Sequence, residues 1–120
     1  MYKLILFLGL ALSATAHASV SCNYNQGGVR FYMVITNTAS ATGGLHAKLG
    51  QPGFSMNTDF AFRAGDVSEF TKSGEQPSFK VNSTRGKSTV TVVVNAGRLS
   101  ILYKGTDGEW SVEDALIQCQ

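Results

Sequence analysis

Between Phe79 and Val112 three strand-like runs follow one another with nothing but turns between them, and few folds can accommodate such a stretch. The runs cover 79–83, 88–95 and 98–104, and 109–112 begins a fourth. β-Branched and aromatic residues dominate each run. Arg85-Gly86, Ala96-Gly97 and Asp107-Gly108 supply the hairpin punctuation between them. The stretch reads as an antiparallel meander on which the rest of the chain packs.

The pairing is internally consistent. A four-residue turn over 84–87 predicts Val81 opposite Val90 and Phe79 opposite Val92. A turn at Ala96-Gly97 sets Val94, Val92 and Val90 against Leu99, Ile101 and Tyr103. A turn over 105–108 adds Trp110 opposite Tyr103 and Val112 opposite Ile101. All of these fall on one face, as a buried side requires. Asn95-Ala96-Gly97 also suits a three-residue loop with glycine left-handed, which would move that register by one. The apolar alignment decides against it, because a slip would carry the whole core set to the wrong side.

The cysteines add a topological demand. Of the 120 residues, 1–18 read as a secretory signal: Lys3 gives a positive start, 4–12 an apolar core, and Ala16-His17-Ala18 a small-x-small cleavage site. The apolar run falls short of the roughly 20 residues a membrane span needs. A lipid attachment at Cys22 would want a leucine-like residue in Ser19-Val20-Ser21 and finds none. The expected mature chain, 19–120, is one β-barrel or sandwich domain with room for a single core. Its two cysteines, Cys22 and Cys119, stand at opposite ends and read as a disulfide in an exported protein. Such a bridge requires the first and last elements to lie side by side, which in a meander closes or nearly closes a barrel. The expected fold is therefore all-β, a small antiparallel up-and-down barrel or sandwich of about seven or eight strands.

Upstream, Gly27-Gly28 marks a turn, and 29–36 alternates with Val29, Phe31, Met33 and Ile35 inward and Arg30, Tyr32 and Thr36 outward. Residues 37–44 read as loop, 45–49 as a strand, and Gln51-Pro52-Gly53 as a type II turn. Residues 59–63 and 67–71 flank Ala64-Gly65-Asp66 as a short hairpin, and 72–78 is breaker-rich loop. The end fits either a helix begun at Ser111 or a strand. In the strand reading, a bulge near Glu113-Asp114 turns Ala115, Ile117 and Cys119 inward. The strand is preferred, since it lets the bridge join adjacent edges.

Chemistry is sparse. Without Lys3, nine Lys+Arg face eight Asp+Glu, a charge of about +1, which is no footprint for nucleic acid. The one mature histidine, His46, reads as a solvated strand residue, and no metal or cofactor is expected. The carboxylates Asp59, Asp66, Glu69, Asp107, Glu109, Glu113 and Asp114 read as turn and edge charges that keep strands from joining other sheets. Gly27-Gly28 and Gly43-Gly44 lack a phosphate-loop context and read as turn glycines. Arg85 and Lys87 at a hairpin tip, with Phe54 and Phe70 from an apolar group that also holds Met56, Phe60 and Phe62, are the candidate binding residues.

In format the chain is similar to the C-type lysozyme inhibitors: an export signal, about one hundred mature residues and a terminal cysteine. Their inhibitory Ser-Gly followed by a basic residue and Tyr is missing; Ser73-Gly74 continues as Glu75-Gln76-Pro77. The resemblance stops at the format. The expectation is a monomeric, non-enzymatic binding module, periplasmic or secreted, for a protein or glycan of the cell envelope. An inhibitor of a cell-wall hydrolase and a glycan-acting enzyme are the alternatives.

Overall fold

The computed structural model describes residues 19–37, 40–51, 54–73 and 76–120; the signal reading over 1–18 and the turn at Pro52-Gly53 lie outside the described residues. Among the described residues there are ten strands: β1 (Val20–Gln26), β2 (Val29–Asn37), β3 (Ser40–Gln51), β4 (Phe54–Arg63), β5 (Val67–Ser73), β6 (Gln76–Arg85), β7 (Ser88–Asn95), β8 (Arg98–Gly105), β9 (Gly108–Leu116) and β10 (Gln118–Cys119). They form two antiparallel sheets of five, β10-β1-β2-β3-β4 (sheet I) and β9-β8-β7-β6-β5 (sheet II). Every strand lies beside its sequence neighbour except at two crossings. A 3-10 turn, Ala64–Asp66, carries the chain from β4 to β5, and Ile117 carries it from β9 to β10. The all-β up-and-down architecture follows, with ten strands where the sequence reading counted seven or eight.

Tight turns set sheet II. Asn95 pairs with Arg98 around a two-residue turn in which Ala96 (φ 48°) and Gly97 (φ 89°) are both left-handed. The apolar alignment thus outweighed the preference of alanine for negative φ. Val94, Val92 and Val90 face Leu99, Ile101 and Tyr103, and Trp110 and Val112 face Tyr103 and Ile101. Two expectations need correction, the first being the loop over 72–78, where Gln76, Pro77 and Ser78 open β6 and pair with Ser73, Lys72 and Thr71. The β6–β7 turn is Gly86-Lys87, not 84–87, so Val81 pairs with Val92 and Phe79 with Val94. Gly86 at φ 59° makes the shorter turn possible, and the two-residue shift leaves every inward residue inward.

Sheet I corrects two further expectations. Within the expected loop over 37–44, residues 40–44 are strand: β3 starts at Ser40, and Thr42, Gly43 and Gly44 pair with Val34, Met33 and Tyr32. Gly43 and Gly44 serve space, not turning. A Cβ on Gly43 would collide with the Tyr32 carbonyl and Met33, and one on Gly44 would stand 3.0 Å from the Tyr32 ring. The segments flanking Ala64–Asp66 are not a hairpin either, because β4 and β5 belong to different sheets. Arg63 donates its backbone N–H to the Asp66 carboxylate at 3.2 Å, which closes the corner.

The inner faces of the two sheets share one core. Phe31, Met33, Leu45, Phe60 and Phe62 from sheet I meet Phe79, Val81, Val92, Leu99 and Ile101 from sheet II. β4 passes across the strand ends of sheet II. Met56 packs on Gly108, Trp110 Nε1 donates to Thr58 Oγ1 at 3.2 Å, and Phe60 meets Tyr103 edge-on at 6.2 Å. At the other end Ile117 N donates to the Gly97 carbonyl at 3.1 Å. The expected bulge is present: register breaks between Val112 and Ala115 with Asp114 at φ 50°, and Ile117 and Cys119 turn inward. β10 then lies against β1, Cys119 directly opposite Cys22, and the disulfide joins them across a sequence separation of 97.

Candidate functional site

The four residues singled out from sequence do not form one site. Arg85 donates through Nη1 to the Asp59 carbonyl at 2.6 Å, and its guanidinium lies 6.0 Å from the centre of the Phe60 ring. It therefore caps an open-edge carbonyl of β4, which blocks strand addition there. Lys87 is exposed in the adjoining turn. Phe70 is half-buried against Phe79, with ring centres 6.4 Å apart, and belongs to the core margin. Phe54 opens β4, and its side chain lies outside the described residues.

Near Arg85 a small cavity of about 190 Å³ is lined by Thr58, Phe60, Ser88 and Tyr103, among others. The Tyr103 hydroxyl donates to Asp107 Oδ1 at 2.7 Å and stands 3.3 Å from Ser88 Oγ. The Ser88 hydroxyl works to lower the phenol's pKa. The Asp107 carboxylate and burial outweigh it, so the phenol sits above its ordinary value. Tyr103 also stacks on Trp110 at 5.8 Å, and Asp107 lies in the turn between β8 and β9. This cluster locks a hairpin end. Its acid is spent on its own neighbour.

The carboxylates behave as edge devices. Both edges of sheet II carry a bulge with an acidic residue in the left-handed region, Glu69 (φ 52°) in β5 and Asp114 (φ 50°) in β9. Glu69 reaches Lys80 at 3.4 Å, and Glu113 accepts from Ser111 Oγ at 3.3 Å. Such bulges bend an edge out of pairing geometry. Among the described residues no three His, Cys, Asp or Glu side chains gather as a metal site.

The outer face of sheet I is different. Register places Asn25, Arg30, His46 and Asp59 in one row across β1–β4, and Asn23, Tyr32, Gly44 and Ala61 in the next. His46 Nδ1 meets Asp59 Oδ1 at 2.9 Å, so the histidine is solvated as expected but has a partner the sequence reading missed. An open trough of about 430 Å³ lies between Asn23, Asn25, Arg30 and Tyr32, with Tyr24 and Phe31 completing its lining. Tyr32 leans over Gly44 and remains 37% exposed, one of few large apolar side chains so placed. The signal for this site was legible. The turn at Gly27-Gly28 and the outward placing of Arg30 and Tyr32 already set Asn25 against Arg30 and Asn23 against Tyr32.

Taken together, fold and surface define a disulfide-closed, two-sheet up-and-down β domain. Comparison with known protein families, with curated proteins and with solved structures finds no match.

Proposed function

We propose that the protein is an exported, non-enzymatic binding module that works in the cell envelope or outside the cell and takes its ligand on the outer face of sheet I. The observation that carries this reading is the trough between Asn23, Asn25, Arg30 and Tyr32. Its walls mix amide, guanidinium and phenol groups on a rigid paired backbone, the convergence of a few polar groups around a concavity that small-ligand sites favour. Export is supported by the signal-like start of the sequence and by the disulfide, which persists in oxidising compartments. Non-enzymatic action is supported by where the acids go: Asp107 to Tyr103, Glu113 to Ser111, Glu69 to Lys80 and Asp59 to His46.

The test is retention of envelope material on immobilised mature protein, compared across Tyr32→Ala, Arg30→Ala and a control on the opposite face, Lys104→Ala. A component held by the wild type and by the control, and lost from both trough variants, is the expected result. Equal retention by all four proteins would refute the placing of the site.

A further inference from the structure

Resting on that reading, we infer that the ligand of the trough is an acidic oligosaccharide, a chain of sugar rings bearing carboxylates. The first argument is the distribution of charge. Residues 19–63 and 118–120 carry Arg30, Lys48 and Arg63 against Asp59, a formal +2 with His46 neutral, while 64–117 carry six basic and seven acidic residues, a formal −1. The positive balance of the mature chain therefore belongs to sheet I, and its charged side chains alternate outward there. Among the described residues two ion pairs occur, His46–Asp59 and Lys80–Glu69, so neither Arg30 nor Lys48 is engaged in one. Asp59 is directed at His46, which stands between it and Arg30 in the row.

The second argument is the chemistry of the trough. A guanidinium is a planar fork that matches a carboxylate with two parallel hydrogen bonds. Asn23 and Asn25 each offer donors and an acceptor, which suits hydroxyl groups that both give and take hydrogen bonds. The exposed part of the Tyr32 ring supplies an apolar plane for the C–H face of a sugar, and its hydroxyl supplies a polar end. Sugar, hydroxyl and carboxylate thus each meet a fitting group within one concavity.

An acidic peptide fits less well. Extended peptides bind by pairing with a free strand edge or by seating side chains in apolar pockets. Here β1 and β2 are already paired with each other along the trough, from Asn23–Tyr32 to Asn25–Arg30. The side chains at its margins are an amide pair, a guanidinium and a phenol.

The experiment titrates the intact disulfide-bonded mature protein with a panel of uronic-acid oligosaccharides of differing linkage. Each is matched by its methyl ester, with a polyglutamate peptide alongside, and heat and amide chemical shifts are followed. At least one acidic sugar should bind about tenfold tighter than its ester, with shifts centred on Asn23, Asn25, Arg30 and Tyr32. Its affinity should fall as salt rises. Arg30→Ala should erase the preference for acid over ester, Tyr32→Ala should weaken both about tenfold or more, and Tyr32→Phe should restore most of that loss. Unchanged melting of each variant shows that the fold is intact. Equal binding of acid and ester, stronger binding of polyglutamate, or no binding by any sugar overturns the assignment. If Tyr32-dependent retention of envelope material survives any of these outcomes, the site stands and the ligand class alone falls. If the retention is absent as well, both fall.

Discussion

Both sheets keep their register through short connections, but sheet I adds to them space and a covalent tie. Two-residue connections at Gly86-Lys87, Ala96-Gly97 and Thr106-Asp107 in sheet II, and at Gly27-Gly28 in sheet I, leave the strands they join little freedom to slide. In sheet I, β3 can lie flat on β2 only because Gly43 and Gly44 leave room for Met33 and Tyr32, and the outermost strand, β10, is two residues long and held by a disulfide. The outer faces differ in the same sense. Sheet II spends its acids on bulges and turns, while sheet I leaves Arg30 and Tyr32 to solvent.

The largest test of this contrast is removal of the tie. Replacing Cys22 and Cys119 together by Ser should cost about 4–5 kcal/mol, from the loop entropy of a closure spanning nearly the whole mature chain. Hydrogen exchange should show that global loss at the slowest amides of both sheets, with a further loss from local opening confined to β10, β1 and β2. Absence of the further loss at that edge would break the contrast.

Next come paired cavities. Leu45→Ala in sheet I and Leu99→Ala in sheet II each remove a side chain with no exposed surface, and each should cost about 3 kcal/mol. Similar costs from urea melts mark a single shared core. A change of slope in one variant alone would mean that the sheets unfold separately.

Glycine and alanine exchanges should then separate the two ways of setting register. Gly43→Ala, blocked by the Tyr32 carbonyl and Met33, should cost about 2 kcal/mol as an overpacking defect. Ala96→Gly, at a left-handed position of the β7–β8 turn, should gain about 0.5 kcal/mol. Opposite signs in thermal melts sharpen the contrast, and a loss at both sites would blunt it.

The smallest effect concerns the hairpin end. Tyr103 holds its proton more tightly folded than unfolded, so its contribution is complete below the ordinary phenol value and is lost as pH rises through the higher folded one. Asp107→Asn removes the charge that opposes ionisation. The phenolate absorbance of Tyr103 should then appear at lower pH, with stability near neutrality changed by less than about 1 kcal/mol.

What could be read in advance follows the same division. The alternation of Val90, Val92 and Val94 against Leu99, Ile101 and Tyr103 is a local record of pairing, and the Cys22–Cys119 bridge followed from their placing at the two ends. Gly43-Gly44 misled because glycine has two uses: it turns a chain, and it makes room for a neighbour. The second is visible only once Tyr32 and Met33 are known to lie alongside. Ala64-Gly65-Asp66 misled because a turn signal says that the chain bends, not which sheet it enters next. Arg85 and Lys87 attracted notice as a basic tip. The Arg85 bond to the Asp59 carbonyl crosses between elements far apart in sequence, and no local pattern announces it. The trough lay within reach, since the glycine turn between β1 and β2 fixes which side chains share it.

The position of β10 beside β1 has a consequence for the order of synthesis. A chain made from its N-terminus produces β1 first of the ten strands and its outer neighbour last, so β1 waits with one side open while every later hairpin forms. The hairpins of β6 to β9 pair only strands adjacent in sequence and can close without it. Completion of sheet I therefore falls to Gln118 and Cys119, and a chain cut just before Gln118 would leave its first ribbon unguarded.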